Sequence, residues 1–512
     1  MTSPSHFNIA RYCLGPAAPR APHKVAMIVV HDAQNDIADA EYWTYGEIDA
    51  AVRRIAAGIR AKGLPAGARI MIRMGNTSDY ALLYFGILAA GYVALPSSAQ
   101  LTTSEARFLL EDSDASAIAV ADELAVDHVP DGIAVWGPGE IEALKKHDPQ
   151  EGFADTAAED PAFLVYTSGT SGKPKGVLHA HRSVWGRRPM YQGWYGISAE
   201  DRLLHAGAFN WTYTLGVGLT DPWANGATSI LYNGPKDVQI WPKLIQDHKA
   251  TIVAAVPTLY RQILKHCDLN AFDLSSLRHG LTAGEPLPLP VAKEWQDKTG
   301  TELYEALGMS ECSTYISCSP EVPIKPGSPG KPQSGRKISI LPRDGGTEPL
   351  AAGEVGLLAV HCSDPGLMLH YWNRPGEDDE VFRGDWFVGG DLAEMDDDGY
   401  VWFHGRGDDV MTSMGYRVSP AEVEAALADH PDIAEVAVTE VAVADGVRII
   451  TAFVVPQEAR EIDPDSILAH GAKKLAAYKR PRQVLVLEAL PRTGNGKLQR
   501  NKLKDLAPAS SK

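Results

Sequence analysis

Apolar and polar positions alternate between helical and strand spacing along the first two-thirds of the chain. The segment Thr44-Tyr-Gly-Glu47 has the spacing of a capping box, and apolar residues then recur every three or four positions from Ile48 to Ile59. The apolar segment 81–95 predicts a buried helix. Short apolar runs predict strands at 69–72, 117–120, 162–165, 229–232, 251–254 and 302–305. This alternation favours an α/β fold with parallel sheets.

The pattern changes near residue 326. Glycine and proline are dense over 326–335, and short strands follow at 338–341 and 356–360, which predicts a small β-rich subdomain. An amphipathic helix over 420–429 begins with a proline. Strands at 436–438 and 449–455 come next, and then a helix that ends between Lys474 and Lys479. These last elements predict a compact α+β unit of about a hundred residues.

Composition narrows the class of protein. The 512 residues carry a net charge of −17, which argues against nucleic acid as a partner because a phosphate backbone requires a basic surface. The five cysteines include no C-x-x-C pair, so neither a disulfide framework nor a zinc site is expected. The apolar run 80–96 is too short for a membrane span, and the N-terminus lacks the pattern of a signal peptide. We therefore expect a cytoplasmic protein. A homodimer is compatible with the sequence, which does not fix the oligomeric state.

The segment 166–176, Tyr-Thr-Ser-Gly-Thr-Ser-Gly-Lys-Pro-Lys-Gly, follows the predicted strand 162–165. Its glycines allow close backbone approach, its hydroxyls donate hydrogen bonds and its lysines bring positive charge, so it suits a triphosphate. It is not a P-loop, because Gly172-Lys173 is followed by Pro174. The residues expected to bind phosphate are Thr167, Ser168, Gly169, Thr170, Ser171, Gly172, Lys173 and Lys175.

This segment resembles the signature phosphate loop of the adenylate-forming superfamily, which includes acyl-CoA synthetases, adenylation domains and luciferases. At least six ordered motifs extend the resemblance over nearly the whole chain, and the nearest types are benzoate-CoA ligases and medium-chain acyl-CoA synthetases. The resemblance implies a large N-terminal domain over 1–407, with parallel αβ layers and a β-rich subdomain. It also implies a small mobile α+β domain over 408–512, with a hinge at Asp408, a position that must absorb a large backbone change.

The same resemblance assigns the ATP site. In Gly308-Met-Ser-Glu311, Glu311 corresponds to the carboxylate that holds Mg²⁺, and Ser310 lies beside the α-phosphate. Adenine is expected near Gly284, Glu285, Pro286, Glu305, Ala306 and Leu307, where Leu307 replaces a common aromatic residue. Asp391 corresponds to the residue that binds the ribose hydroxyls, and Arg406 to a second ribose and phosphate contact.

The C-terminal motifs imply the remaining chemistry. Gly415, Tyr416 and Arg417 correspond to the loop that lines the channel for the coenzyme A thiol. Lys497, in the segment 491–497, corresponds to the catalytic lysine that reaches the substrate carboxylate and the α-phosphate. The basic segment 478–481 suits either the phosphates of coenzyme A or a carrier protein.

The acyl pocket is expected near Phe209, Trp211, Tyr213, Gly216 and Gly308. Family members that use very short acids have a bulky aromatic residue at the position of Gly308, so glycine there predicts room for an aryl or medium-chain acid, with benzoate-like acids preferred. Packing of the three aromatic residues in the core is an almost equal alternative. Arg187 and Arg188 are expected to be exposed surface charges rather than contacts to an anionic substituent.

The implied function is an ATP-dependent, Mg²⁺-dependent ligation of a small carboxylic acid to coenzyme A through acyl-AMP. One alternative is an adenylating enzyme that loads a carrier-protein thiol or releases acyl-AMP. The other is a nucleotide-binding regulatory protein without catalysis. Glu311, Asp391, Arg406 and Lys497 together argue against the regulatory protein.

Overall fold

The computed structural model describes residues 2–32, 36–168, 174–210, 212–235, 237–284, 287–406, 411–414, 416–418, 420–428, 430–444, 447–457, 460, 462–491 and 500–507. The strands in these ranges are β1 Val25–Val30, β2 Glu41–Thr44, β3 Arg69–Arg73, β4 Val93–Pro96, β5 Ala115–Val120, β6 Ala134–Trp136, β7 Pro161–Ser168, β8 Pro174–Ala180, β9 Arg202–His205, β10 Thr228–Tyr232, β11 Ile252–Ala255, β12 His279–Ala283, β13 Glu302–Met309, β14 Ser313–Ser317, β15 Lys331–Pro332, β16 Ile338–Leu341, β17 Gly356–His361, β18 His370–Tyr371, β19 Phe382–Arg383, β20 Trp386–Met395, β21 Val401–Arg406, β22 Met411–Ser413, β23 Tyr416–Val418, β24 Ile433–Ala444, β25 Val447–Pro456 and β26 Gln483–Val486.

The α-helices are α1 Ile9–Leu14, α2 Ala17–Arg20, α3 Tyr45–Ala61, α4 Ser78–Ala90, α5 Thr103–Asp112, α6 Pro138–Leu144, α7 Arg182–Trp185, α8 Arg188–Met190, α9 Thr212–Leu215, α10 Asp221–Ala224, α11 Ile240–His248, α12 Pro257–His266, α13 Leu289–Thr299, α14 Pro375–Val381, α15 Pro420–Leu427, α16 Pro464–Lys474 and α17 Arg500–Leu506. Two π-helical segments, Tyr191–Tyr195 and Gly216–Thr220, flank β9 and α9.

Two large sheets form the core of the N-terminal part. One has nine strands in the order β15-β14-β13-β12-β11-β9-β10-β1-β2, and it is parallel from β13 to β1. The other has seven strands in the order β18-β8-β7-β4-β3-β5-β6, with parallel pairing from β7 through β4, β3 and β5 to β6. The α/β fold with parallel sheets is therefore confirmed.

The β-rich subdomain and the C-terminal α+β part are also confirmed. A five-stranded sheet has the order β16-β17-β20-β19, with β21 paired to β20. Near the C-terminus, β24, β25 and β26 form a three-stranded sheet, on which helices α15 and α17 pack.

The described chain forms two compact units. The first comprises Met1–Ala99, Leu110–Val165 and Gly176–Gly405, and the second comprises Gln100–Leu109, Tyr166–Lys175 and Arg406–Lys512. The sequence did not indicate that segments near residues 100 and 170 group with the C-terminal residues. Asp408 lies outside the described residues, and the division into 1–407 and 408–512 stays a prediction.

Local signals explain where the helices begin and end. Thr44 caps α3, because its hydroxyl accepts from the backbone N–H of Glu47 while the Glu47 carboxylate accepts from the backbone N–H of Thr44, so the predicted capping box is confirmed. The buried helix predicted over 81–95 is confirmed for 81–90 and was wrong for 91–95. Helix α4 ends at Ala90 because Gly91 adopts a left-handed conformation (φ +83°), and β4 follows it.

None of the helices in the described ranges is long and apolar enough to cross a membrane.

Candidate functional site

The strands on either side of the predicted phosphate loop are well formed. β7 carries Thr167 and Ser168 at its end, and β8 carries Lys175, which is partly exposed. The five residues between these strands, Gly169, Thr170, Ser171, Gly172 and Lys173, lie outside the described residues. Their contacts with phosphate stay predictions.

Glu311 lies just beyond β13, separated from its last residue by Ser310, and is held by two contacts. Its side chain is buried, and its Oε1 accepts a hydrogen bond from the Tyr371 hydroxyl at 2.8 Å. Its backbone carbonyl accepts from the N–H of Met368 at 2.7 Å. Within the described ranges, Oε2 of Glu311 is buried and has no hydrogen-bond partner. A buried carboxylate oxygen without a partner is unfavourable unless something else binds it.

This carboxylate fits the Mg²⁺ ion that accompanies ATP. In the described part of the chain, no group of three or more histidine, cysteine, aspartate or glutamate side chains could hold a metal ion. Mg²⁺ on a nucleotide does not require such a cage, because it uses one or two carboxylates together with phosphate oxygens and water. Oε2 of Glu311 is a hard oxygen ligand of that kind.

His179, on β8, contacts the residue beside Glu311. Its Nε2 lies 2.8 Å from the backbone carbonyl of Ser310, and its ring stacks on Phe163 of β7 with centroids 4.7 Å apart and planes 16° apart. Burial lowers the pKa of His179 to about 4, and the bond to Ser310 offsets only part of that effect. The ring is therefore neutral at neutral pH. The sequence analysis did not identify His179, although a histidine between apolar residues of a buried strand was a visible signal.

The adenine-side residues are brought together by two parallel strands. β12 pairs with β13 so that Ala283 is opposite Ala306, and Gly284 then leaves the strand with φ +91°. Oε1 of Glu305 accepts from the N–H of Leu287 at 3.2 Å. Burial raises the pKa of Glu305 to about 7, although part of the residue stays accessible to solvent.

The other nucleotide residues are placed only in part. Glu285 and Pro286 lie outside the described residues, and Leu307 continues β13. Asp391 is buried within β20. Arg406 is the last residue of β21, and the position of its side chain is not described.

The predicted acyl-pocket residues divide into two groups. Phe209 and Tyr213 are buried among other rings. The ring centroids of Phe209 and Tyr80 are 5.4 Å apart, and those of the stacked rings of Tyr213 and Trp194 are 5.9 Å apart. These contacts agree with the alternative of core packing. Trp211 lies outside the described residues.

The two glycines of the predicted pocket each have a close neighbour. A β-carbon at Gly216 would lie 1.8 Å from Nη2 of Arg187, and one at Gly308 would lie 2.3 Å from the carbonyl oxygen of Ser313. In the hairpin of β13 and β14, glycine at 308 is therefore needed to admit the neighbouring backbone. Whether it also leaves room for an acid stays a prediction.

Arg187 is buried, so the expectation of an exposed charge was wrong for this residue. It is 5% exposed and donates through Nε to both carboxylate oxygens of Asp221, at 2.9 and 3.0 Å. The Tyr195 hydroxyl donates to the same carboxylate at 2.7 Å, and Ser313 accepts from Nη1 of Arg187. Burial opposes the charge of Arg187, but Asp221 and Tyr195 raise its pKa above the usual range. Arg188 is exposed, as expected.

A cavity in the first unit is lined by both His179 and Arg187. Its lining includes Phe163, His179, Ser183, Arg187 and Gly216. Within the described ranges, Nδ1 of His179 and Oγ of Ser183 are both buried without a hydrogen-bond partner. The cavity therefore has polar groups on an otherwise largely apolar wall.

The C-terminal candidates lie mostly outside the described residues, among them Asp408, Gly415 and Lys497. Tyr416 stacks on Tyr478, with ring centroids 3.9 Å apart, and Arg417 is placed only by its backbone in β23.

The basic segment 478–481, which suits the phosphates of coenzyme A or a carrier protein, does not expose Lys479 for such a contact. Lys479 is buried, and its Nζ donates to Glu422 at 2.7 Å and to Glu105 at 3.2 Å. Burial opposes the charge of Lys479, but Tyr478 and these two carboxylates raise its pKa above the usual range. Lys479 is neutralised within the second unit by Glu105 from the segment Gln100–Leu109.

Comparisons with known proteins show the family of the chain. Residues 16–372 match the family model described as AMP-binding enzyme, and residues 422–497 match the model described as AMP-binding enzyme C-terminal domain. The chain is 32% identical to an uncharacterized acyl-CoA ligase of Bacillus subtilis, over 91% of this chain and 90% of that protein. It is 30% identical to a 3-hydroxybenzoate-CoA/4-hydroxybenzoate-CoA ligase of Thauera aromatica, over 91% and 92%. The o-succinylbenzoate CoA synthetase of Bacillus subtilis, solved with a product analogue, superposes with a TM-score of 0.85 at 28% identity, over 96% of this chain and 98% of that one.

Proposed function

Since the chain belongs to the AMP-binding enzyme family, and is therefore an acid–thiol ligase of the acyl-CoA synthetase type, we propose that it forms acyl-CoA through an acyl-AMP intermediate. A carboxylate oxygen of the acid attacks the α-phosphorus of ATP, and the bond to the β-phosphate breaks to release pyrophosphate. The thiolate of coenzyme A then attacks the acyl carbon, and AMP leaves with the electron pair of the broken C–O bond.

The observation that carries this proposal is the state of Glu311. Its carboxylate is buried, with one oxygen held by Tyr371 and the other without a partner in the described chain, and a bound cation would offset the cost of that burial. Mg²⁺, when bound there, would neutralise charge on the ATP phosphates. Gly284 and the strand segment 305–307 would enclose the adenine, and Asp391 would accept from the ribose hydroxyls.

We further propose that Lys497 is the catalytic cation, that Asp408 is the hinge of a mobile C-terminal domain, and that the loop at Gly415 admits the thiol. A cation between two approaching anions offsets their repulsion, which is the role we assign to Lys497.

For the acid, we propose an aryl or medium-chain carboxylate, with benzoate-like acids preferred. The support is the similarity to the hydroxybenzoate-CoA ligase and to the o-succinylbenzoate synthetase, together with the glycine at 308. A panel of benzoate, hydroxybenzoates, hexanoate, octanoate, propionate and acetate, assayed by AMP release with ATP, Mg²⁺ and coenzyme A, tests this choice. Activity confined to acetate and propionate would rule it out.

Two measurements test the chemistry. Omitting coenzyme A should leave acid-dependent ATP–pyrophosphate exchange intact and stop acyl-CoA formation. Acyl-AMP that accumulates even with coenzyme A present would instead indicate an enzyme that loads a carrier-protein thiol or releases acyl-AMP. Lys497→Ala should lower the exchange rate by about a hundredfold or more, whereas Lys504→Ala, an exposed lysine of α17, should leave it unchanged. Unchanged exchange in Lys497→Ala would refute the assignment of the lysine.

A further inference from the structure

The Ser310–Glu311 segment is fixed by side chains from two neighbouring strands. β8 and β18 pair antiparallel, with Leu178 opposite His370 and Val177 opposite Tyr371. Tyr371 of β18 binds the carboxylate of Glu311, and His179 of β8 binds the carbonyl of Ser310. Of the two consecutive residues, Ser310, assigned to the α-phosphate, is therefore held from β8, and Glu311, assigned to Mg²⁺, is held from β18.

The chemistry of the Ser310 carbonyl determines which group donates in its hydrogen bond with His179. A carbonyl oxygen only accepts, so Nε2 of the neutral ring must carry the proton and donate it to Ser310. The ring cannot rotate freely away from this bond, because one face stacks on Phe163 and the residue is almost fully buried.

Packing alone does not account for a histidine at this position. Its neighbours on β8, Val177, Leu178 and Ala180, are apolar and buried. Nδ1 of the ring is buried without a partner in the described chain, as is Nε2 of His181, so the contact that distinguishes His179 is the one made by its Nε2. Among the described residues, the hydrogen bond of Nε2 is to the backbone carbonyl of Ser310.

We propose that His179 is a positioning residue for adenylation, which fixes the Ser310 carbonyl and so the placement of the adjoining Glu311 carboxylate. This inference rests on the proposed function of Ser310 and Glu311. His179 does not touch substrate in this scheme; it acts through the backbone that carries the two candidate ATP ligands.

The test compares two buried histidines of the same segment. His181 is as buried as His179, but its Nδ1 accepts from the N–H of Ile9 and it has no bond to Ser310. His179→Phe keeps the aromatic ring and loses the donor. His179→Gln places an amide N–H where Nε2 was, whereas the shorter His179→Asn cannot reach the carbonyl. His181→Phe is the matched control for the loss of a buried histidine.

Two quantities are measured for each variant. The rate of ATP–pyrophosphate exchange gives separate KM values for Mg·ATP and for the acid, and denaturation gives the unfolding midpoint. His179→Phe should lower kcat/KM for Mg·ATP by about tenfold or more without changing the KM of the acid. His179→Gln should restore kcat/KM to within about threefold of the wild type, and His181→Phe should lose stability but keep its ATP parameters.

The inference is overturned if His179→Phe and His181→Phe lose activity equally, or if His179→Gln and His179→Asn are equally impaired. If His179→Phe does not fold, the comparison of His179→Gln with His179→Asn tests the role of His179. A wild-type protein without exchange activity on any acid of the panel would instead overturn the proposed function, and this inference with it.

Discussion

Replacing Arg187 by methionine should lower the free energy of unfolding by about 3–5 kcal/mol, because it leaves the carboxylate of Asp221 buried without its counter-charge. Asp221 is 0% exposed, and among the described residues it would keep only hydroxyl donors, of which Tyr195 at 2.7 Å is the best placed. Asp221→Leu should cost a similar amount, because it leaves the Arg187 guanidinium buried without its carboxylate partner.

The double variant distinguishes a buried ion pair from two separate packing effects. When both charges are replaced by apolar groups of similar volume, no uncompensated charge is left, so Arg187→Met/Asp221→Leu should be more stable than either single variant. Urea unfolding followed by tryptophan fluorescence gives the three free energies.

The matched control is Lys249→Met, which breaks the exposed Lys249–Asp273 pair at 3.5 Å and should leave the free energy of unfolding almost unchanged. If the Arg187 and Asp221 variants cost as little as this control, or if their effects simply add in the double variant, the reasoning from burial and pairing is refuted.

Three further predictions follow from other sites. Gly216→Ala should lower the free energy of unfolding by about 2 kcal/mol or more, because its β-carbon would lie 1.8 Å from a buried guanidinium nitrogen. The control Gly139→Ala, in α6, meets nothing within 4 Å and should be neutral or stabilising. Thermal unfolding of both variants tests the difference. Burial lowers the pKa of His205 to about 3, so the unfolded chain binds the extra proton first and stability should fall as the pH drops from about 6.5 towards 3. His205→Asn should reduce this loss of unfolding free energy by up to about 1.4 kcal/mol per pH unit. If the free energy from urea unfolding fell as steeply with pH in the variant as in the wild type, the prediction would be contradicted. Tyr371→Phe should raise the KM for Mg·ATP about tenfold through its lost bond to Glu311, while an equal rise in the KM of the acid would argue against this role.

Local signals in the sequence were sufficient for most of the fold. Thr44 and Glu47 are three positions apart, so a capping box can be identified from the sequence alone. Local signals were not sufficient to place the end of the helix predicted over 81–95. Gly91 was visible, but an apolar run does not show whether a glycine continues a helix or ends it with a positive φ.

Charged residues were harder to place, because burial depends on distant partners. Arg187 pairs with a carboxylate 34 positions away, and Lys479 with one 374 positions away in Glu105. A sequence pattern carries no sign of either pairing, and exposure is the correct default for an arginine or a lysine.

The sequence proposes site residues where a motif carries the chemistry, and it gives no signal where a residue acts through backbone contacts. Glu311 was proposed as a ligand of Mg²⁺ from its motif, and that role stays a prediction, which the buried Oε2 without a partner among the described residues supports. His179 was missed because its partner is a main-chain carbonyl 131 positions away, and any residue type has such a carbonyl.

The position of β1 in the nine-stranded sheet has a consequence for synthesis on the ribosome. β1 lies between β2, which follows it closely in the chain, and β10, which begins at Thr228, about 200 residues later. At about 5–20 residues per second, translation leaves one edge of this apolar strand unpaired for about 10–40 s. Such an edge is a template for incorrect pairing, so we expect the nascent chain to depend on chaperones until β10 has emerged.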